Sequence, residues 1–165
     1  MDAAKTFDVL LFTSGDYLWG VDVHFINSVK WGVGSSEFIP LKNQTVKSIL
    51  GVPSRFGLKL GEAIIPVVPF VGNNDPFGYD SFQGAVIFFR EVPEPFGLLA
   101  DQINGTESLM IREQIRPVPL HLKRVFSGKN IWAIAEAEGG LAYLFEPVYE
   151  PEKNKSHADH KKLPE

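Results

Sequence analysis

Chemistry in this chain would have to come from a short set of residues. His157 and His160 form an H-x-x-H near the C-terminus, and two imidazoles at that spacing hold a metal when the backbone orders them. They sit in a stretch of Pro, Lys, His, Asp and Glu with almost nothing to bury, so they read as solvated polar residues. His24 falls on the polar side of an alternating segment. His121 follows Pro119 with no cysteine or carboxylate at ligand spacing. Asp16 and Asp22 offer two carboxylates for acid–base work, but Asp16 reads as a turn residue and Asp22 as a solvent-side strand residue. Gly32-x-Gly34 lacks the third glycine and the following helix that a phosphate cradle needs. There is no G-x-S-x-G and no P-loop. The absence of cysteine removes disulfides, thiolate metal sites and a cysteine nucleophile. No nucleophile–base pair, ligand set or cofactor motif is completed, and the expectation is a chain that is not an enzyme and needs no cofactor or metal.

The elements that carry these residues point the same way. The 165 residues suit one domain or two small joined ones, and a 44% hydrophobic content is enough for a real core. A formal charge of −4 argues against nucleic acid as a partner, because phosphate binding needs a basic face. The longest apolar run near the N-terminus is Val9-Leu10-Leu11-Phe12, and no stretch nears the ~18 to 20 apolar residues that cross a bilayer. The expectation is a cytoplasmic chain with no direct membrane insertion.

Gly84 to Ile103 organises the rest. Ala85-Val86-Ile87-Phe88-Phe89 is short, β-branched and aromatic, and reads as a strand buried on both faces. Pro93 and Pro95 break it, and Phe96-Gly97-Leu98-Leu99-Ala100 returns as the second arm of an antiparallel hairpin ending in Asp101. Before it, Phe7–Thr13 and an alternating run from Tyr17 to Val23 flank a Ser14-Gly15-Asp16 turn, another hairpin. The apolar pattern runs on to Trp31 without deciding between strand and helical turn. Gly32 to Ser36 reads as a flexible connection, and a short helix capped near Asn43 would carry Val46, Ile49 and Leu50. Gly51 to Gly57 is loop chemistry. Pro66 and Pro69 demote Ala63–Phe70 to an edge or distorted strand. After the central hairpin, Asn104–Gln114 is polar, Arg116–Pro119 is extended, Ser127–Asn130 is a turn, and Ile131–Glu136 with Leu141–Phe145 forms a closing hairpin. Residues 150–165 read as a disordered tail that the fold does not need. Asp101 is expected to be structural, its carboxylate accepting N–H groups of the turn that follows. The fold class is all-β, a sandwich or barrel, with at most short helices.

In order, several segments resemble the CheW-like adaptor domain of bacterial chemotaxis systems. Phe12-Thr13-Ser14-Gly15-Asp16 with Trp19-Gly20-Val21-Asp22-Val23 resembles its opening hairpin. Val29-Lys30 resembles the hydrophobic-basic end of the next element, and Ile39-Pro40 with Val46-Lys47 its proline-to-helix segment. Ile64-Ile65-Pro66-Val67-Val68 is similar to its I-V-P-V-I strand. Gly97-Leu98-Leu99-Ala100-Asp101-Gln102-Ile103 is similar to its G-L-L-V-D-x-V strand. Ile115-Arg116-Pro117-Val118-Pro119 follows as its I-x-P-x-P does. The match spans residues 7 to 149.

The resemblance implies two packed SH3-like five-stranded β barrels without catalytic activity. It implies an adaptor between the cytoplasmic tip of a chemoreceptor and the regulatory domain of the histidine kinase CheA, with the receptor tip in an apolar groove between the barrels. It implies partner contacts at Val29, Lys30 and Val46, and structural roles for Gly97 and Asp101. The chain departs from the family where Asn-Leu-Arg-Gly precedes the I-V-P strand: it reads Gly51-Val52-Pro53-Ser54 with extra residues through Glu62. Ser28 stands where glutamate is common, and Pro69 where aspartate follows the strand. The Gly51–Gly61 loop, with Arg55, Phe56 and Lys59, is the expected replacement contact element, since arginine and aromatic residues anchor interfaces. Two alternatives stay open: a divergent scaffold of a non-flagellar chemosensory system serving pili or gliding, and a small-molecule-binding β barrel with a deep closed pocket.

Overall fold

The computed structural model describes residues 5–41, 48–49, 52–69, 82–90, 92, 95–125 and 130–147. The expected tail of residues 150–165, the Asn43 cap, Val46 and residues 127–129 of the expected turn lie outside them. The strands in chain order are β1 (Thr6–Ser14), β2 (Tyr17–Asp22), β3 (Ile26–Gly34), β4 (Ile39–Pro40), β5 (Ser48–Ile49), β6 (Val52–Pro53), β7 (Phe56–Leu60) and β8 (Ala63–Pro69). They continue as β9 (Gln83–Phe89), β10 (Gly97–Ala100), β11 (Gln102–Met110), β12 (Ile115–Pro117), β13 (Ile131–Ala137) and β14 (Gly140–Phe145). Two short helices, α1 (Ile111–Gln114) and α2 (Leu120–Val125), flank β12, and 3-10 turns occupy Val23–Phe25 and Ser35–Glu37.

Two six-stranded sheets hold nearly all of this, in the orders β11-β1-β2-β14-β13-β12 and β3-β9-β10-β8-β7-β4. Each has one strand more than the expected five. The additions are short: β12 has three residues and β4 two. The first sheet curls until β11 meets the β13–β14 turn, where the Glu107 carboxylate accepts the Glu138 N–H at 3.1 and 3.2 Å. Gln114 seals the same seam, accepting from Met110 N–H at 2.7 Å and donating to the Glu136 carbonyl at 2.8 Å. The second sheet, β3 to β10, lies wholly between β2 and β11 in sequence.

Period-two alternation sorts the apolar residues into three cores. Val9 and Leu11 of β1 face Leu109, Ala133, Ala135, Ala142 and Leu144 inside the first barrel. Val86 and Phe88 of β9 face Val33, Leu58, Val67 and Leu99 inside the second. The alternate residues, Leu10 and Phe12 on one side and Ile87, Phe89, Leu98 and Ala100 on the other, meet Trp19, Val21 and Phe145 in a core that both barrels share. This explains the unbroken runs Val9–Phe12 and Ala85–Phe89: each strand is covered on both faces. Trp19 is fully buried, and its indole N–H donates to the Ser14 carbonyl at 3.1 Å.

The three hairpins read from the sequence are present, as β1–β2, β9–β10 and β13–β14. Several expectations are corrected. β8 is an interior strand, not an edge, pairing with β7 on one side and β10 on the other. Its prolines are tolerated because the β10 ladder begins only at Val67, so Pro66 has a neighbour on one side alone, and Pro69 ends the strand. Gly32 to Gly34 is not a connection but the end of β3. The ladder with β9 slips between Lys30 and Val33, and Gly32, at φ 65°, supplies the left-handed residue of that bulge. Ile49 is in a strand, not a helix. The polar stretch Asn104–Met110, to which the sequence assigned no element, belongs to β11. The Asp101 carboxylate accepts not from the turn that follows it but from Gly15 N–H in the β1–β2 turn.

Candidate functional site

The expected contact residues divide between the two ends of the second sheet. Val29, on the outer strand β3, sits opposite Ile87 and packs at the rim of the shared core with Ile26. Lys30 sits opposite Val86, on the other face, and its ammonium lies 3.8 Å from the Glu37 carboxylate. Glu37 also accepts the Gly34 N–H at 3.2 Å, which pins the 3-10 turn after β3. Phe38, one residue on, places its ring centroid 6.3 Å from that of Phe56. Lys30 and Phe56 are thus joined through one turn, while Val29 faces elsewhere.

Phe56 to Leu60 is not loop but strand, which corrects the expected Gly51–Gly61 loop. β7 pairs with β8 so that Phe56 faces Val67 and Leu58 faces Ile65, all on the barrel-interior side. Phe56 is half-buried there and Leu58 fully buried. The opposite face carries Lys59 beside Ile64 and Gly57 beside Pro66, and Val68, two residues on, enters the shared core. This strip continues the shared-core face past the point where the first barrel covers it. Ile64 is consequently 49% exposed, with Lys59 exposed next to it. Arg55, also exposed, immediately precedes β7, and its carbonyl accepts the Leu41 N–H at 3.1 Å. The geometry therefore puts an aliphatic side chain, not the aromatic one, beside the exposed Lys59. Sequence reading missed Ile64 because Pro66 and Pro69, within its own strand, marked that strand as an edge or distorted one. Parity with the buried Val68 was the available signal. It also missed Trp31, 65% exposed beside the β3 bulge.

The histidine and carboxylate candidates are placed as follows. His24 lies in the 3-10 turn after β2, not on a strand. Asp22 caps that turn: its carboxylate accepts the His24 N–H at 2.9 Å and lies 2.8 Å from the ring Nδ1. The Arg90 Nε donates to the His24 carbonyl at 3.0 Å, which ties the turn to the end of β9. His121 is exposed on α2. The described residues hold no group of three His, Asp or Glu able to bind a metal, and no helix among them is long and apolar enough to cross a membrane.

No family model matches the chain, and no curated protein matches it. A solved structure does: the scaffolding protein TtCheW from Thermoanaerobacter tengcongensis superposes with a TM-score of 0.59 at 19% identity, covering 85% of this chain and 88% of that one. The fold is CheW-like. The likeness takes in both sheets, so the paired barrels and their shared core are a CheW-like arrangement, with an all-β architecture and short helices only. The CheW-like fold also accounts for the order of the sequence segments, since the second barrel interrupts the first after its opening hairpin.

Proposed function

We propose that this chain is a non-enzymatic signalling adaptor of a bacterial chemotaxis-type pathway, working in the cytoplasm. It couples the cytoplasmic tip of a chemoreceptor to the regulatory domain of a CheA-type histidine kinase. The observation that carries this is the CheW-like fold over 85% of the chain. The ordered motifs from Phe12 to Phe145 support it independently. A surface strip fits the role: Lys59 beside exposed Ile64, half-buried Pro66 next along, exposed Arg55 just before the strand, and Val29 at the far rim of the same sheet face. An aliphatic group beside a cation suits a partner helix that presents apolar residues next to carboxylates. Ser28 and Pro69 stand where the family has acidic residues, and a divergent scaffold of a non-flagellar system serving pili or gliding is the alternative reading.

The reading as a small-molecule-binding barrel fares worse, because the interiors of both barrels are filled by their own side chains. The test is titration calorimetry of the purified chain against a receptor-tip fragment and a kinase regulatory domain. Both should bind, and Ile64→Ser and Lys59→Glu should each weaken at least one of them by about tenfold, the scale of losing one interface anchor. Binding to neither fragment would overturn the adaptor reading. Binding that ignores both substitutions would move the contact surface elsewhere.

A further inference from the structure

The first barrel carries a second exposed surface, at the end where its two hairpins turn. Tyr17 opens β2, and Leu141 stands one step before the Ala142–Leu18 pair on the parallel neighbour β14. Tyr17 is 38% exposed and Leu141 59%. The rings of Tyr17 and Tyr143 lie 5.8 Å apart, edge to face, and Tyr143 in turn packs at 5.5 Å on buried Trp19. The patch is therefore anchored to the shared core and holds its shape.

Beside it opens a cleft of about 520 Å³, half-open to solvent, with Leu11 and Leu18 among its walls. Thr13, Asn104 and Thr106 add polar groups, and Tyr17 belongs to both patch and cleft. Its remaining charged walls are Asp16, Glu107 and Glu138, and no basic residue lines it among the described residues. Glu107 is occupied as an acceptor by the Glu138 N–H. None of the three carboxylates has an ion-pair partner among the described residues. Apolar contact area beside uncompensated negative charge fixes the kind of occupant by complementarity.

We propose that this surface docks a partner segment that presents an aliphatic or aromatic side chain next to lysine or arginine. The apolar side chain would rest on Tyr17 and Leu141, and the cation would enter the cleft between Asp16 and Glu138. The sign of charge is opposite to that of the Arg55–Lys59 strip, so the two surfaces select different partners. This inference stands on the first barrel alone and does not depend on the adaptor reading.

Fluorescence anisotropy with three short labelled peptides tests it: one alternating lysine and leucine, one with glutamate for lysine, one with serine for leucine. The full chain should bind the first at least about tenfold more tightly than either control, and rising salt should weaken it as screening predicts. Leu141→Ser and the pair Asp16→Asn with Glu138→Gln should each remove most of that preference, with melting curves confirming that the variants fold. Equal binding of all three peptides, or binding untouched by the substitutions, overturns the proposal. So does binding seen only after the chain is cut behind Pro147, because the occupant would then be this chain's own segment carrying Lys153, Lys155, Lys161 and Lys162.

Discussion

The Asp101 carboxylate accepts the backbone N–H of Gly15 at 2.9 Å, across 86 residues of chain. The Asp101 N–H donates to the Thr13 carbonyl, also at 2.9 Å. Asp101 stands where the chain leaves β10 in one sheet and enters β11 in the other, so both bonds clamp that passage to the opening hairpin. Asp101→Ala should lower stability by about 1 kcal/mol, the usual net worth of an exposed hydrogen bond. Asp101→Asn keeps an acceptor oxygen and should lose less. Urea unfolding reads both, and an unchanged midpoint for the alanine variant would refute the clamp.

Gly97 is required by close approach. A Cβ there would stand 2.7 Å from Val86 Cγ1, 3.0 Å from Phe88 Cε1 and 3.1 Å from Val67 Cγ1, all inside the second barrel. Gly97→Ala should therefore cost ~1–3 kcal/mol by overpacking. Adding Val86→Ala should recover part of that loss. If the double variant is no better than the sum of the singles, steric crowding is not the reason for the glycine.

Phe56 and Arg55 are adjacent but should behave differently. Phe56→Ala removes a ring that packs on the second barrel's core and against Phe38. Because the ring is only half-buried, the loss should be about 2 kcal/mol, below the range for a full core position. Arg55→Ala should leave thermal stability within ~0.5 kcal/mol, as exposed substitutions do, and act only on partner binding. A stable Phe56→Ala variant with impaired binding would reverse these roles.

The shared core should make the two barrels unfold as one. Phe145 touches Phe12 of the first barrel and Phe89 of the second, at 5.9 and 6.4 Å between ring centroids. Phe145→Ala should cost ~3–5 kcal/mol, and the far-ultraviolet dichroism and tryptophan fluorescence of the intact chain should report coincident transitions. Two separated transitions would show that the barrels are independent.

What could be read from the sequence was set by local signals. The hairpins announced themselves through turn residues such as Ser14-Gly15-Asp16 and Glu138-Gly139-Gly140 between alternating runs. The double burial of Ala85–Phe89 was visible because both faces need apolar side chains. β11 was not visible: exposed Gln102, Asn104, Thr106 and Ser108 occupy its outer face, and only Leu109 is fully buried. β3 was hidden by its bulges, which reverse the faces of Val29 and Val33 and erase the period of two. The proposed contact strip needed the fold, because Ile64 and Lys59 become neighbours only through the β7–β8 register.

The insertion of one barrel inside the other separates the order of synthesis from the order of assembly. β1 and β2 are made first, yet Val9 pairs with Asp22 on one side and Glu107 on the other, and Gly20 waits for Leu144. Until β11, β13 and β14 emerge, the barrel-interior side chains Val9 and Leu11 have no cover. Such distant pairings slow a β fold toward the millisecond-to-second range, and a barrel of β3–β10 that folds early shortens the loop the outer strands must close. The opening hairpin thus precedes the strands that close its own barrel and must wait for them.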